Sequence, residues 1–247
     1  MFIVKYIAAF GKYLDLMGRT FSVPERLRMF WKQYVKEMAQ LGVDSIGIVL
    51  LISFFIGAVI CIQIKLNIQS PWMPNFTTGY TTREIMVLEF SSSIMCLILA
   101  GKVGSNIASE IGTMRVTQQI DALEIMGVNS ASFLILPKIL GLMTMIPFLV
   151  IFSIVSGFLG AYATAYAGII TPDDLTVGLL HAFVPWFIWM SIIKSVFFAF
   201  IIASVSSYYG YNVQGGSFDV GKASTNAVVS SSMLILFADI FLTQLLS

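Results

Sequence analysis

Residues 100–128 read AGKVGSNIASEIGTMRVTQQIDALEIMGV, a polar island between two long apolar segments. Glu110, Thr113, Thr117, Asp121 and Glu124 follow one another at steps of 3, 4, 4 and 3 residues, which stacks them on one face of a helix. Val116, Ile120 and Leu123 form an apolar stripe elsewhere on the same helix. Its charges would be unpaired in hydrocarbon, so the pattern predicts a helix at the membrane surface that offers a mixed face. Spacing alone fits an ordinary amphipathic loop helix equally well.

The surrounding chain has 247 residues, 57% hydrophobic and 11% charged, with a mean hydropathy of +0.89. Soluble domains carry roughly 25% charged residues, so the class implied is an all-α integral membrane protein. The net charge of +1 conceals an asymmetry. Of the 14 Lys and Arg residues, 7 (Lys5, Lys12, Arg19, Arg26, Arg28, Lys32 and Lys36) precede the first long apolar segment. That bias puts the N-terminus in the cytoplasm. The first residues lack a short apolar run ending in a small-residue cleavage site, so no signal peptide is expected. Cys61 and Cys96 both lie inside apolar segments, as buried small hydrophobes do. Residues 1–247 read as a single domain, with residues 1–43 interfacial and 44–247 membrane-spanning, and nothing indicates a nucleic-acid partner.

Outward from the island, the pattern resolves into five spans. Residues 2–21 place Ile3, Ile7, Phe10, Leu14, Met17 and Phe21 on one helical face and Lys5, Lys12 and Arg19 on another, an arrangement for the headgroup plane. Ser22-Val23-Pro24-Glu25 is a helix-start pattern, opening a second interfacial segment that acts as an elbow. Residues 45–64 are free of charge and long enough to cross roughly 30 Å of hydrocarbon, either as one straight span or as a bent, re-entrant pair. Residues 67–82 hold Pro71, Trp72, Pro74 and Gly79 and read as an outer loop with Trp72 near the interface. The second span covers 85–108 and runs into the island, whose Lys102 and Arg115, with Lys138 beyond, mark the inner side. The third covers about 142–166; Pro137 and Pro147 suggest a kink, and Gly157 and Gly160 permit close helix contact. Thr171-Pro172-Asp173-Asp174 starts a further helix on the outer side. The fourth span begins near Phe183, residues 208–222 form a Gly-rich inner loop, and the fifth span covers 227–246, which leaves the C-terminus outside.

Residues 216–223, GSFDVGKA, nearly spell a nucleotide-binding GxxxxGK[ST] loop. Ala223 stands where the magnesium-binding hydroxyl belongs, Asp219 would face phosphate, and no strand precedes the stretch. Any energy source therefore lies outside this chain. Glu89, Lys194 and Asp239 sit within apolar segments, where an ionisable group is a functional candidate by default. Lys194 and Asp239 are on neighbouring spans and within reach of each other as a pair; Glu89 has no partner legible in sequence. His181 is the only histidine, without a second ligand at metal-binding spacing.

The stretch 100–128 closely resembles the central signature of the MlaE/YrbE family, the permease subunits of MCE-associated ABC transporters. GYNVQGGSFDVGKASTNAVVSSSMLILFADIFLT, residues 210–243, resembles that family's C-terminal signature, and the resemblance extends over nearly the whole chain. It implies a homodimer bound to ABC ATPase subunits (MlaF-like) that carry the ATP and Mg, to an MCE-domain protein (MlaD-like) outside, and to a small STAS-type regulator (MlaB-like). It implies phospholipid as substrate and the bacterial inner membrane as location. Positions matching the family cavity are Ile60, Gln63, Ile64, Glu89 and Phe90. Residues 100–128 become the coupling helix, with Glu110, Thr113, Arg115, Gln118, Asp121 and Glu124 as its contacts to the ATPase. Leu88 replaces the Arg often found before that Glu, and Ser91-Ser92 replaces a Gly-Pro pair, so an Arg–Glu role at the cavity does not carry over and the helix is expected to be straighter there. Two other classes fit the residues: an ion-coupled secondary transporter using Glu89, Lys194 and Asp239 as a relay, and a membrane scaffold that moves no lipid.

Overall fold

The structure, a computed structural model, describes residues 2–22, 27–68 and 74–246, with side chains from residue 7 onward. Val23, Pro24 and Glu25 of the expected helix start, Pro71 and Trp72 of the outer loop, and the side chains of Ile3 and Lys5 lie outside the described residues. The described residues form eight helices and no strand: α1 (Phe2–Thr20), α2 (Leu27–Asn67), α3 (Thr77–Val116), α4 (Gln119–Ile125), α5 (Ser130–Tyr166), α6 (Pro172–Leu180), α7 (Trp186–Tyr211) and α8 (Ser217–Leu246). Helices α2, α3, α5, α7 and α8 are long and apolar enough to cross a membrane. The chain is an all-α, multi-pass membrane protein with the five spans expected.

Several boundaries differ from those read in sequence. Helix α2 is continuous for 41 residues, so the expected elbow and the first span are one rod, with a π-helical stretch at Met38–Val43 between its polar start and its apolar body. Helix α3 begins at Thr77 rather than Ile85 and contains two π-helical stretches, Met86–Ile94 and Ala100–Gly104. Gly79, expected to break the helix, is inside it and packs against Gly178 of α6; a Cβ at Gly79 would lie 2.6 Å from the Leu175 carbonyl oxygen. Close packing here outweighs low helix propensity, which is a weak prior in a packed context. Helix α8 starts at Ser217, ten residues before the expected span, which confines the loop to residues 212–216. The GSFDVGKA stretch is thus mostly helical, and Asp219 accepts the Gly216 amide at 3.2 Å.

The core is built where α2 and α5 touch through small residues. Gly57 faces the Gly157 carbonyl, and Gly160 faces the Phe54 carbonyl. Ser53 Oγ donates to Ser153 Oγ at 2.8 Å, Ser153 donates to Ser91 at 3.1 Å, and Ser156 donates to the Leu50 carbonyl at 2.6 Å. Small residues let backbones approach where no hydrophobic drive acts between helices in lipid. Helix α5 continues through Pro137 and Pro147, as spans do when neighbours satisfy the freed backbone groups. Its Ile135, Ile139, Leu142 and Ile146 join Leu99 of α3 and Phe198 of α7 in one apolar core. Helix α8 is the least buried span.

Helix α1 has three faces. Leu16, Met17 and Thr20 are buried, and Tyr13 donates to Ser204 of α7 at 2.9 Å. Ile7, Phe10, Leu14 and Phe21 are exposed and apolar, while Lys12, Asp15 and Arg19 are exposed and charged. A helix resting on the bundle at a membrane interface needs all three. Met17, read in sequence with the outward apolar face, instead belongs to the bundle. Thr171 caps α6 by accepting the Asp174 amide at 3.4 Å, with Pro172 at the helix start as the pattern indicated.

Candidate functional site

The polar island forms a corner rather than one helix. Helix α3 ends at Val116, and α4 begins only after Gln118, whose φ of 60° and ψ of 16° are left-handed. A non-glycine residue held there stores about 1–3 kcal/mol of strain, and such strain clusters at functional segments. The expected single face therefore does not exist: Glu110, Thr113 and Arg115 are on α3, Asp121 and Glu124 on α4, and Gln118 is the bend. The corner is braced from inside. Arg115 Nη1 donates to Asp121 Oδ1 at 2.6 Å, and its guanidinium lies 5.8 Å from the centre of the Tyr211 ring. Glu124 Oε1 accepts from Ser130 at 2.9 Å and from Tyr211 at 2.8 Å, which holds its carboxyl below the usual glutamate range. Ile120 is fully buried beneath. Gly127, with φ of 78°, closes α4 through the Val128 amide to the Leu123 carbonyl at 3.1 Å. Asn129 then caps α5 and donates to the Arg19 carbonyl at 3.0 Å and to Ser22 Oγ at 2.7 Å, tying α1 to the corner.

The residues the corner offers outward include Thr113, Gln118 and a pair not legible in the polar spacing, Ile125 and Met126, at 87% and 68% exposure. The signal was available: two large apolar residues immediately before a helix-ending glycine. Asp121 and Glu124 are instead engaged by their own chain.

Glu110 reaches inward as well. Lys138 of α5, 1% exposed, lies 2.6 Å from Glu110 Oε2 and 2.8 and 2.9 Å from the two oxygens of Glu37 on α2. Lys138 served in the sequence only as a marker of sidedness, and Glu37 was not singled out. A second cluster repeats the composition further along the bundle. Lys194 Nζ, fully buried, is 3.0 Å from Asp239 Oδ1 and 3.8 Å from Glu89 Oε1. The Lys194–Asp239 pair was legible in sequence; Glu89 joins it because the start of α3 packs on α7. Lys194 makes no aligned hydrogen bond, so this is an ion contact without directional bonding.

The five cavity candidates do not share one surface of the chain. Phe90 is buried in the core and Ile64 is nearly so. Ile60 is half-buried and Gln63 exposed on α2, which packs mainly on α5. Glu89 turns toward Lys194 and keeps about half its side chain exposed.

At the end of the bundle opposite the corner, Arg83 was not anticipated, because it falls between the loop read over 67–82 and the span read from 85. It is 3% exposed. Its guanidinium donates to the carbonyls of Leu179 at 3.0 Å and His181 at 2.7 Å, and to Glu84 at 2.6 Å. It closes the C-terminus of α6 beside Ala182, whose φ is 47°. The His181 ring lies against Phe76 at a tilt of 48°, with centroids 4.7 Å apart.

The family model described as Permease MlaE matches residues 34–245. The chain belongs to the MlaE permease family. As an MlaE-family protein it is 32% identical over 247 residues to a probable ABC transporter permease protein of Rickettsia bellii, covering 98% of this chain and 93% of that one. It is 29% identical over 234 residues to a probable ABC transporter permease protein of Synechocystis, covering 94% and 88%. It is 30% identical over 218 residues to the chloroplastic protein TRIGALACTOSYLDIACYLGLYCEROL 1 of Arabidopsis thaliana, covering 88% of this chain and 62% of that one. This MlaE-family chain is thus a transporter permease subunit, and an ABC permease implies an ATPase partner. Where Ser91 and Ser92 stand in this permease, the helix is continuous but π-wound, with Ser91 accepting from Ser153 and Ser92 donating to the Leu88 carbonyl at 2.8 Å.

Proposed function

We propose that the chain is the membrane permease of an ABC transporter that moves phospholipid between the inner membrane and an MCE-domain protein outside, driven by a separate ATPase. The observation that carries this reading is the strained corner at Gln118. It is rigidly braced from within and presents Ile125 and Met126 to solvent, which suits a tip seated in a partner's apolar socket. The seven N-terminal basic residues favour the cytoplasmic side for that end, where an ATPase would bind. Docking then rests on Ile125, Met126, Thr113 and Gln118, with Arg115, Asp121 and Glu124 fixing the corner's shape and Glu110 linking it to the bundle. A regulator of STAS type would act through the ATPase.

A homodimer would enclose a space between its two copies. Helix α8, the least buried span, exposes Met233, Phe237, Ile240 and Phe241, and Ile60, Gln63 and Glu89 keep exposed surface to line a cavity. Phe90 and Ile64 would support that lining from behind. An apolar wall with a few polar groups at the rim suits acyl chains and a headgroup. A lipid substrate is further supported by the Arabidopsis relative, whose name is that of a glycerolipid. ATP binding would shift the population between states by its differential affinity for one of them.

The test is native mass spectrometry of the detergent-solubilised complex. Two permease copies, a co-purifying ATPase and bound phospholipid support the proposal. In Ile125→Asp/Met126→Asp the ATPase is lost while the permease stays folded. An ATPase retained at full stoichiometry by that variant overturns the docking assignment.

A further inference from the structure

The Lys138 cluster joins three helices that chain connectivity keeps apart: α2 by Glu37, α3 by Glu110 and α5 by Lys138. An ammonium has three donors, and the three oxygens within 2.6–2.9 Å account for all of them. Glu110 lies about two turns before the bend at Gln118. Glu37 lies immediately before the π-helical stretch Met38–Val43 of α2. At that height α2 is pressed on α5: a Cβ at Gly141 would sit 3.5 Å from Glu37 Cβ and from the Met38 amide nitrogen, and Gly42 packs on Met145. A π-helical stretch is a place where a helix can absorb a change of register, and such stretches concentrate at functional positions. A buried ion cluster adds little net stability over apolar residues of the same size, so stability alone is a weak reason for three charges here.

We propose that Glu37 and Lys138 are positioning residues for energy coupling: through Glu110 they tie the α3–α4 corner to the head of the first span, so that motion of the corner is delivered to α2 at its π-helical stretch. This rests on the reading of the corner as the lever worked by the ATPase. Without the tether the corner still docks, but its displacement reaches α2 only through general packing. The tether holds against pulling as well as pushing, since charge-assisted hydrogen bonds are strong and fixed in geometry, whereas an apolar contact in the same place resists separation only weakly.

The test uses the permease with its ATPase in proteoliposomes, with NBD-labelled phosphatidylglycerol as probe, and reads labelled lipid moved per ATP hydrolysed. Glu37→Gln keeps side-chain size and leaves the Lys138–Glu110 contact in place. Glu37→Leu/Lys138→Met replaces the ion pair with apolar bulk, so it separates packing from tethering. Both variants are expected to bind the ATPase and hydrolyse ATP like the wild type while moving about tenfold less lipid per ATP, the scale of a typical coupling energy. Lipid moved per ATP at the wild-type level in both variants overturns the tether and leaves the lever reading intact. Loss of transfer only in proportion to loss of folded protein, measured by thermal unfolding, also overturns it. If the wild-type complex itself moves no label with ATP, the lever reading falls and the tether with it.

Discussion

Adding one methyl group at Gly160 tests the α2–α5 contact on which the bundle rests. An ideal Cβ there would overlap the Phe54 carbonyl oxygen and lie 2.8 Å from the Phe54 carbonyl carbon and 3.1 Å from the Ala58 nitrogen. Relaxed contacts between carbon atoms are roughly 3.5–4.0 Å, and the obstacle is backbone, so α2 must retreat by about 1 Å. That movement stretches Ser53–Ser153 from 2.8 Å and Ser156–Leu50 from 2.6 Å past useful bonding distance. Overpacking costs about 1–3 kcal/mol, two interhelical hydrogen bonds about 0.6 kcal/mol each, and the better helix propensity of Ala returns about 1 kcal/mol. The net expectation for Gly160→Ala is destabilisation by about 1–3 kcal/mol. Gly47 is the control: it lies in the same α2 with open space around it, so Gly47→Ala should stabilise by about 0.5–1 kcal/mol. Equilibrium unfolding in mixed micelles with increasing SDS measures both. A Gly160→Ala protein as stable as the wild type would refute the backbone contact and the small-residue account built on it.

Lys194→Met leaves Asp239 and Glu89 facing each other without their cation and should cost about 3–5 kcal/mol in the same assay, while Lys194→Met/Asp239→Leu recovers most of the loss. Arg83→Lys keeps the charge but not the planar fork that reaches the Leu179 and His181 carbonyls; hydrogen exchange of residues 179–184 should accelerate, with the rest of the chain unchanged. Glu124 supplies a pH dependence. Its folded pKa is depressed by the Tyr211 and Ser130 hydroxyls, so the unfolded state binds more protons in that range. The stabilisation is present above the ordinary glutamate pKa and fades as pH falls through the depressed folded value. Protection factors across α4, taken from hydrogen exchange corrected for the intrinsic slowing of amide exchange in acid, should therefore fall on acidification in the wild type, and Glu124→Gln should flatten that response.

How much of this was legible in the sequence depends on whether a feature is written locally. The five spans were, because strongly apolar runs of about 20 residues have few other uses. The Lys194–Asp239 contact was, because a charge inside such a run stands out. Gly157 and Gly160 read as contact sites for the same reason. The break at Gln118 was not: nothing about Thr117 or Gln118 marks a left-handed turn, and the polar spacing runs straight across it. The Glu37–Lys138–Glu110 cluster was hidden by separations of 101 and 28 residues and by amphipathic surroundings in which each charge looks solvated. Gly79 was judged by propensity alone, without the Gly178 surface that rewards its lack of a side chain. Phe90, matched to a cavity, is in the core, because the π-helical winding at Met86–Ile94 and packing on α7 set which way that face turns.

The gate proposed for this chain is moved from its corner by a separate ATPase subunit. The most direct measurement is movement of NBD-labelled phosphatidylglycerol in proteoliposomes holding the permease alone, the permease with its ATPase, and both with ATP. Labelled lipid should move only in the last case. Movement by the permease alone, or movement with the ATPase that does not depend on ATP, is incompatible with such a gate.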